Sequence, residues 1–273
     1  MFGDFPLQDK IVLITGGGSG IGLAFCTQAI SAGARVVIAD LKLTSAGEDI
    51  LAANKSKVTF IKCNVSSRGD LEAAVKHAQE VFGDVPDVYA ANAGIPESPK
   101  SSFWGDCEKD GYAVLDINLV HPIKLTRIAI RSLRARSKKG VVIITSSIAG
   151  ANGHFGTPLY VASKHGTIGL IKSLAKAERE FNVKVVGICP GLVATPLLAD
   201  VMDGSAQVGS DPTLMKPEEI AVRMIEVVQQ GKYPGGSAVG VYRTGEIEIV
   251  ADGSTSVLEE LAPSDLTIVR SSN

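Results

Sequence analysis

The chain has 273 residues, 45% of them hydrophobic, with a formal net charge of −2 and a mean hydropathy of +0.21. That supplies apolar material for a sizeable core and gives no basic footprint for nucleic acid. No run of about 18 apolar residues occurs, so no membrane-spanning helix is expected, and residues 1–10 lack the ordered regions of a secretory signal. Cys26, Cys63, Cys107 and Cys189 are scattered without C-x-x-C spacing, which reads as free thiols in a reducing compartment. A cytoplasmic protein is expected, without a membrane or nucleic-acid partner. No His, Cys or Asp cluster has metal spacing, so no metal is expected either.

In chain order, residues 10–15 (K-I-V-L-I-T) are a short β-branched run ending in glycines, the pattern of a buried parallel strand. A helix over 20–32 follows, closed by Gly33, then a strand over 34–40, a helix over 45–54 and a strand over 58–63. The spacing of Leu71, Ala74, Val75, Ala78, Val81 and Phe82 predicts a helix over 69–82 that stops at Gly83. Residues 87–92 read as a fourth strand, and 95–106, with Pro96, Pro99 and several serines, as a loop. A long helix is predicted over 111–136, with basic residues suiting its C-terminal dipole. Then come a strand over 141–146, a helix over 160–181, a strand over 183–189 broken by Pro190-Gly191, and a helix over 218–230. Residues 239–250 give one more strand or a hairpin around Gly245. This alternation predicts a single-domain α/β Rossmann fold over 1–273, doubly wound, with a mostly parallel seven-stranded sheet and helices on both faces.

The glycine-rich turn Thr15-Gly16-Gly17-Gly18-Ser19-Gly20-Ile21-Gly22 lies between the first strand and the first helix. In that context missing side chains let backbone N–H groups and the helix N-terminus approach a pyrophosphate. Gly16, Gly18, Ser19, Gly20, Ile21 and Gly22 are therefore candidate cofactor residues. The spacing is G-x-x-x-G-x-G, and a purely structural turn would explain the glycines alone. Asp40 counts against that: it ends the second strand about twenty residues on, where an acid takes the ribose hydroxyls of NAD. A 2′-phosphate would meet this carboxylate, and neither Ser19 nor Leu41 is basic, so NAD is expected. Lys42, one step further, is the residue that favours NADP.

Tyr160 and Lys164 stand four apart on the predicted helix, rising by ~6 Å on nearly the same face. A fixed cation beside a phenol, whose pKa is otherwise ~10, favours the phenolate. A hydroxyl at Ser147 would hold the substrate oxygen while Tyr160 moves its proton. Taken alone, Y-x-x-x-K arises often by chance; its weight comes from its companions.

Those companions resemble a known family. Thr15-Gly16-x-x-x-Gly20-x-Gly22, Asn92-Ala93-Gly94, Asn118, Ser147, Tyr160-x-x-x-Lys164 and Pro190-Gly191 look like the classical short-chain dehydrogenase/reductases, in family order and spacing. Around Asn118 and over 160–166 the chain is similar to the NAD-dependent 15-hydroxyprostaglandin dehydrogenase branch. The resemblance implies that Tyr160 is the general acid/base and that Ser147 binds the reacting oxygen. It gives Lys164 the nicotinamide ribose and makes Asn118 the anchor of a water linking Lys164 to solvent. Asn92, Ala93 and Gly94 would meet the adenosine ribose, and Asn64 and Val65 the adenine. Pro190, Gly191, Val193 and Thr195 would lie along the nicotinamide. For Asn64 and Thr195 ordinary strand-end and N-cap chemistry is an equal alternative. The family commonly pairs through the helices at 111–136 and 160–181, implying a homodimer, with a tetramer possible although the C-terminal run 238–250 departs from the tetramer-forming pattern.

The substrate loops at 95–107, 151–159 and 197–215 carry Phe103, Trp104, His154, Phe155, Thr157, Leu197, Leu198, Val201, Met202 and Met215. Residues 195–216 read as a closing lid. Phe155 and Thr157 are the candidate substrate contacts beside Ser147 and Tyr160, and the side-chain types favour a small apolar secondary alcohol or ketone. Two alternatives are an NADP-dependent ketoreductase of a biosynthetic pathway and a non-catalytic dinucleotide-sensing protein built on the same fold.

Overall fold

The computed structural model describes residues 2–201, 208, 211–243 and 245–253. Its first half alternates β1 (Ile11–Thr15), α1 (Gly20–Ser31), β2 (Arg35–Asp40), α2 (Ser45–Ala53), β3 (Val58–Lys62), α3 (Arg68–Phe82) and β4 (Val88–Ala91). The second half has α4 (Ala113–Leu115), α5 (His121–Ala135), β5 (Gly140–Thr145), α6 (Pro158–Ser173), α7 (Ala177–Phe181) and β6 (Val183–Pro190). It continues with α8 (Pro196–Val201), α9 (Pro217–Gln229), β7 (Ala238–Val241) and β8 (Ile247–Ala251). The strands form one sheet in the order β3-β2-β1-β4-β5-β6-β7-β8, parallel except for β7 against β8. From β3 to β6 this is the doubly wound order, whose reversal between β1 and β4 opens a crevice at the strands' carboxyl ends.

Strand alternation divides the core. Val12 and Ile14 pack with Phe25 and Ala29 of α1 and with Ile220, Met224 and Val228 of α9. Ile11 and Leu13 pack with Leu71 and Val75 of α3, Leu125 and Leu133 of α5, and Ile171 of α6. Both faces of the sheet are covered, which is why the strands read as unbroken apolar runs.

The structure corrects three expectations. The sheet has eight strands, because Gly245 at φ +77° reverses the chain and returns β8 antiparallel onto β7, the hairpin option of the sequence. The helix expected over 111–136 is interrupted by a π turn at Asp116–Val120. The helix expected over 160–181 tightens to i→i−3 bonding at Leu174, Ala175 and Ala177, which separates α6 from α7. There Ala175 packs against Gly235, Gly236 and Gly253, which have no side chain to stand in its way. Of the expected lid, residues 202–207, 209 and 210 lie outside the described residues, Met202 among them.

Phe2, Phe5 and Leu7 are buried as an N-terminal strap that the sequence pattern did not announce. Beneath it the fully buried Lys184 of β6 donates to the carbonyls of Val227, Val228 and Gln230 at 3.0, 3.0 and 3.3 Å, closing the C-terminal end of α9. Burial lowers its pKa to about 8, with Glu178 opposing the shift. Between about 8 and the ordinary lysine value the unfolded chain binds the proton that the folded chain has lost, so this residue's contribution to stability rises with pH. The stability difference between wild type and Lys184→Met should therefore move in favour of wild type as pH rises through that window. Denaturant titrations of both proteins at several pH values check this; parallel pH dependences would refute it.

Candidate active site

A cavity of about 740 Å³ lies along the carboxyl ends of the strands, from Asp40, Leu41, Asn64 and Val65 to Thr157, Leu197 and Leu198. At its centre the turn after β1 is built around close approach. A Cβ at Gly22 would stand 2.1 Å from the Gly16 carbonyl oxygen, and one at Gly18 2.3 Å from that of Lys42. Gly16 itself sits at φ +65°, against the backbone of Ala93. Ser19, the N-cap of α1, makes no side-chain capping bond, so the first N–H groups of the helix face the cavity without a side-chain acceptor from their own cap.

Asp40 accepts from the Gly18 N–H at 2.8 Å and from the Leu41 N–H at 2.6 Å, joining the end of β2 to the glycine turn. Among the described residues Lys164 is the single lysine or arginine lining the cavity; Lys42 does not line it. Asn92 is a brace: its Nδ2 donates to the carbonyls of Thr15 and Gly16, and its Oδ1 accepts from Thr145 Oγ1 at 3.1 Å. Ala93 and Gly94 line the cavity beside it. Asn64 also lines it, but its Oδ1 accepts from Ser66 N in a local turn. Thr195 Oγ1 accepts from Leu198 N at the start of α8, so both residues do carry the ordinary strand-end and N-cap chemistry. Pro190, Gly191 and Val193 line the far wall, with Gly191 N bonded to Val241 O.

The four residues expected to do chemistry converge. Ser147 is 8% exposed; its Oγ accepts from Ala149 N and donates to Pro190 O. Lys164 is 4% exposed, donates to Thr145 O at 3.0 Å, and lies 5.5 Å from the centre of the Tyr160 ring. Burial lowers the Lys164 pKa to about 8. Burial also raises the Tyr160 pKa, against a hydrogen bond with Ser147 that lowers it. Lys164 stands beside this phenol, where its charge would favour the phenolate against that burial. Ser146 is structural, bonded to Thr167 Oγ1 and Lys164 O.

Asn118 stands in the π turn beside Gly94 and Lys164. Its side chain fastens the loop after β4, accepting from Ile95 N and donating to Ile95 O, each at 2.9 Å. Phe155 departs from the expected substrate contact. It is 82% exposed, stacks on Trp104 with Phe103 alongside, and forms a surface aromatic cluster, none of the three lining the cavity. Thr157 does line it, with its hydroxyl on His154 Nδ1 at 3.0 Å.

Two residues that sequence reasoning missed belong to this site. Glu97 lines the cavity at 7% exposure and accepts from the amides of Phe103 and Tyr160. His121 is buried behind the glycine turn, its ring between Thr15 Oγ1 at 3.1 Å and Ile117 O at 3.1 Å. The carbonyl acceptor assigns the proton to Nδ1; Nε2 faces the Thr15 hydroxyl, which also has Ala90 O within reach of its hydrogen at 3.2 Å. Neither sits in a motif; a histidine four after Ile117 marks itself only once the π turn is known. Among the described residues no group of three or more His, Cys, Asp or Glu is placed to hold a metal, and no helix is long and apolar enough to cross a membrane.

A crevice above a 3-2-1-4-5-6 sheet, with Ser147, Tyr160 and Lys164 lining it, defines an α/β Rossmann-like architecture. Residues 10–206 match the short chain dehydrogenase family, and the chain belongs to it. It is 34% identical over 201 residues to the short-chain dehydrogenase/reductase prx4 of Penicillium roqueforti, covering 71% of this chain and 58% of that one. Thus it spans somewhat over half the length of that relative. It is 31% identical over 211 residues to the 2,5-dichloro-2,5-cyclohexadiene-1,4-diol dehydrogenase of Sphingobium indicum, covering 76% and 81%. Among solved structures, a 3-ketoacyl-(acyl-carrier-protein) reductase from Brucella melitensis complexed with NADH superimposes with a TM-score of 0.72 at 26% identity, covering 91% and 98%.

Burial lowers the His121 pKa to about 4, with Lys164 adding to the shift. As pH falls from the ordinary imidazole value to about 4, the unfolded chain takes up a proton that the folded one refuses, and stability is lost. The His121 ring resonances should stay unshifted down to about pH 5 in a proton–nitrogen spectrum. A midpoint near the ordinary value would refute the buried neutral ring.

Proposed function

We propose that the protein is an NAD-dependent oxidoreductase that interconverts an apolar secondary alcohol and its ketone, with Tyr160 as acid/base. The observation that carries this reading is the placement of Ser147, Tyr160 and Lys164 in the same cavity as Asp40 and the glycine turn. The dinucleotide fits what is there: Gly16, Ser19, Gly20, Ile21 and Gly22 line the cavity at the N-terminus of α1, whose first N–H groups take no side-chain acceptor from Ser19. Gly16, Ser19, Gly20 and Ile21 would hold the pyrophosphate, and Asp40 with Leu41 the adenosine ribose. Asn64, Val65, Asn92, Ala93 and Gly94 would line the adenosine, and Lys164, Pro190, Gly191, Val193 and Thr195 the nicotinamide end.

When bound, the dinucleotide supplies the two-electron hydride acceptor. In oxidation Ser147 would hold the carbinol oxygen and the Tyr160 phenolate would take its proton as the carbon loses hydride; in reduction the neutral phenol would give that proton to the ketone oxygen. Burial raises the Tyr160 pKa, which suits the neutral phenol that reduction uses, and oxidation requires that phenol to lose its proton first. Lys164, charged at neutral pH, anchors its ammonium on Thr145 O and stands beside the ring, where its charge favours the phenolate that oxidation needs. Asn118 would fasten the loop after β4 with its side chain and, from the π turn, anchor the water expected beside Lys164.

Asp40 supports NAD, since both of its oxygens are fixed by backbone amides where a 2′-phosphate would lie. The NADP-dependent ketoreductase loses ground because Lys42 does not line the cavity. The sensing role would leave four convergent chemical residues without use. The likeness to the 15-hydroxyprostaglandin dehydrogenase branch rests on two short runs and assigns no substrate. A homodimer is proposed through α5 and α6, with Val120 of the π turn and Ile123 of α5 exposed.

NADH formation from NAD⁺ with a panel of apolar secondary alcohols tests this. Tyr160→Phe should lose turnover by about 10²–10⁴-fold while still binding NADH, as expected for loss of a positioned acid/base. Near-normal turnover in the variant would overturn the assignment. Asp40→Ser should narrow the preference for NAD⁺ over NADP⁺; a wild type that turns over mainly with NADP⁺ would overturn the cofactor.

A further inference from the structure

Glu97 is a carboxylate in the wall of the cavity, and among the described residues no cation pairs with it. One oxygen accepts from Phe103 N at 2.9 Å, the other from Tyr160 N at 3.0 Å. The second bond is a helix cap from a distance. Thr157, at the N-cap of α6, makes no capping bond because its hydroxyl is turned to His154, and Glu97 serves the helix from 63 residues away.

Two amide bonds leave the carboxylate under-satisfied. It offers about four lone-pair sites, of which two are used, and a charge buried to this degree is costly unless hydrogen bonds complete it. The remaining lone pairs belong to a group that lines the cavity next to the catalytic helix. Its oxygen contacts the amide of Tyr160, and both residues line the cavity. Asn152, His154 and Thr157 line the same part of the wall, beside the apolar Ile148, Leu192, Leu197 and Leu198.

We propose, resting on the dehydrogenase reading, that Glu97 selects the substrate. Its carboxylate accepts a hydrogen bond from a second hydroxyl or ammonium, carried several bonds from the carbinol on an otherwise apolar body. It also rejects substrates with a carboxylate at that place. The second half follows from charge alone: two like charges in a cavity shielded from water oppose one another strongly.

The test uses three alcohols with an identical reacting end: octan-2-ol, octane-1,7-diol and 7-hydroxyoctanoate. With NAD⁺, wild type should show a kcat/KM for the diol about tenfold above octan-2-ol, with the hydroxy acid lowest, the size expected of one charge-assisted hydrogen bond. Glu97→Gln keeps the shape and removes the charge. It should lower all rates, because the amide can accept only one of the two N–H groups, but it should also collapse the diol advantage and raise the hydroxy acid relative to octan-2-ol. Ratios within one preparation are insensitive to partial misfolding, so a merely structural role would leave them unchanged, and that result would overturn the proposal. Absence of a diol preference in wild type would do the same. If none of the three is turned over, the dehydrogenase reading is what fails. Glu97 is then judged by ligand titration of the fluorescence of Trp104, the chain's one tryptophan, whose indole N–H is bonded to Phe155 O. Tighter binding of the diol, lost in Glu97→Gln, supports selection, and equal binding refutes it.

Discussion

One carboxamide holds the centre of this site together. Asn92, at the end of β4, bonds to the Thr15 and Gly16 carbonyls at the end of β1 and to Thr145 at the end of β5. The carbonyl of Thr145 then receives the Lys164 ammonium. The crevice at a topological switch point exists because β1 and β4 send their connections to opposite faces, and it would gape without a cross-link at its lip. A short chain of hydrogen bonds thus runs from the glycine turn to Lys164. Thr15 closes the network from behind: its hydroxyl accepts from the amides of Asn92 and Ala93 and faces His121 across 3.1 Å. The turn's geometry and the lysine's position are therefore set by the same few atoms.

Burial decides the electrostatics around that network. His121, Tyr160 and Lys164 are all pushed toward their neutral forms, each mainly by desolvation. Sequence spacing places a cation beside a phenol, and from spacing alone the cation wins. Burial opposes it: a phenol that has lost the water stabilising its charge is held toward the neutral form.

The fold was legible because it depends on periodicity. Alternating apolar runs marked β1 to β6, and glycines marked the ends of α1 and α3, at Gly33 and Gly83, both at positive φ. The pieces misread depend on relations that periodicity does not encode. A π turn carries the same apolar spacing as the helix around it; it becomes visible only where the His121 N–H reaches back to Asp116 O and the His121 side chain takes Ile117 O. The break after Ser173 contains neither proline nor glycine, and its cause lies in Gly235, Gly236 and Gly253, far along the chain. Gly245 did announce β8, but whether one strand or two followed depended on pairing with β7.

At the site, the residues found from sequence are those whose role is tied to a local pattern: glycines after a strand, an acid at the end of the next, a tyrosine and a lysine one helical turn apart. Asn118 is marked by its motif, but the partner of its side chain is not: the carboxamide bonds to both the N–H and the C=O of one residue, Ile95. Nothing in the order of residues says where such a pair will be. Glu97 is the mirror case. In sequence it is one acid between two prolines; in space it caps the helix that carries Tyr160 because Thr157 spends its hydroxyl elsewhere. The cap ties the loop at 95–106 to the first turn of α6, the helix that carries Tyr160. Contacts that join distant segments at a cavity are where specificity is written, and they are the last to be read from a chain alone.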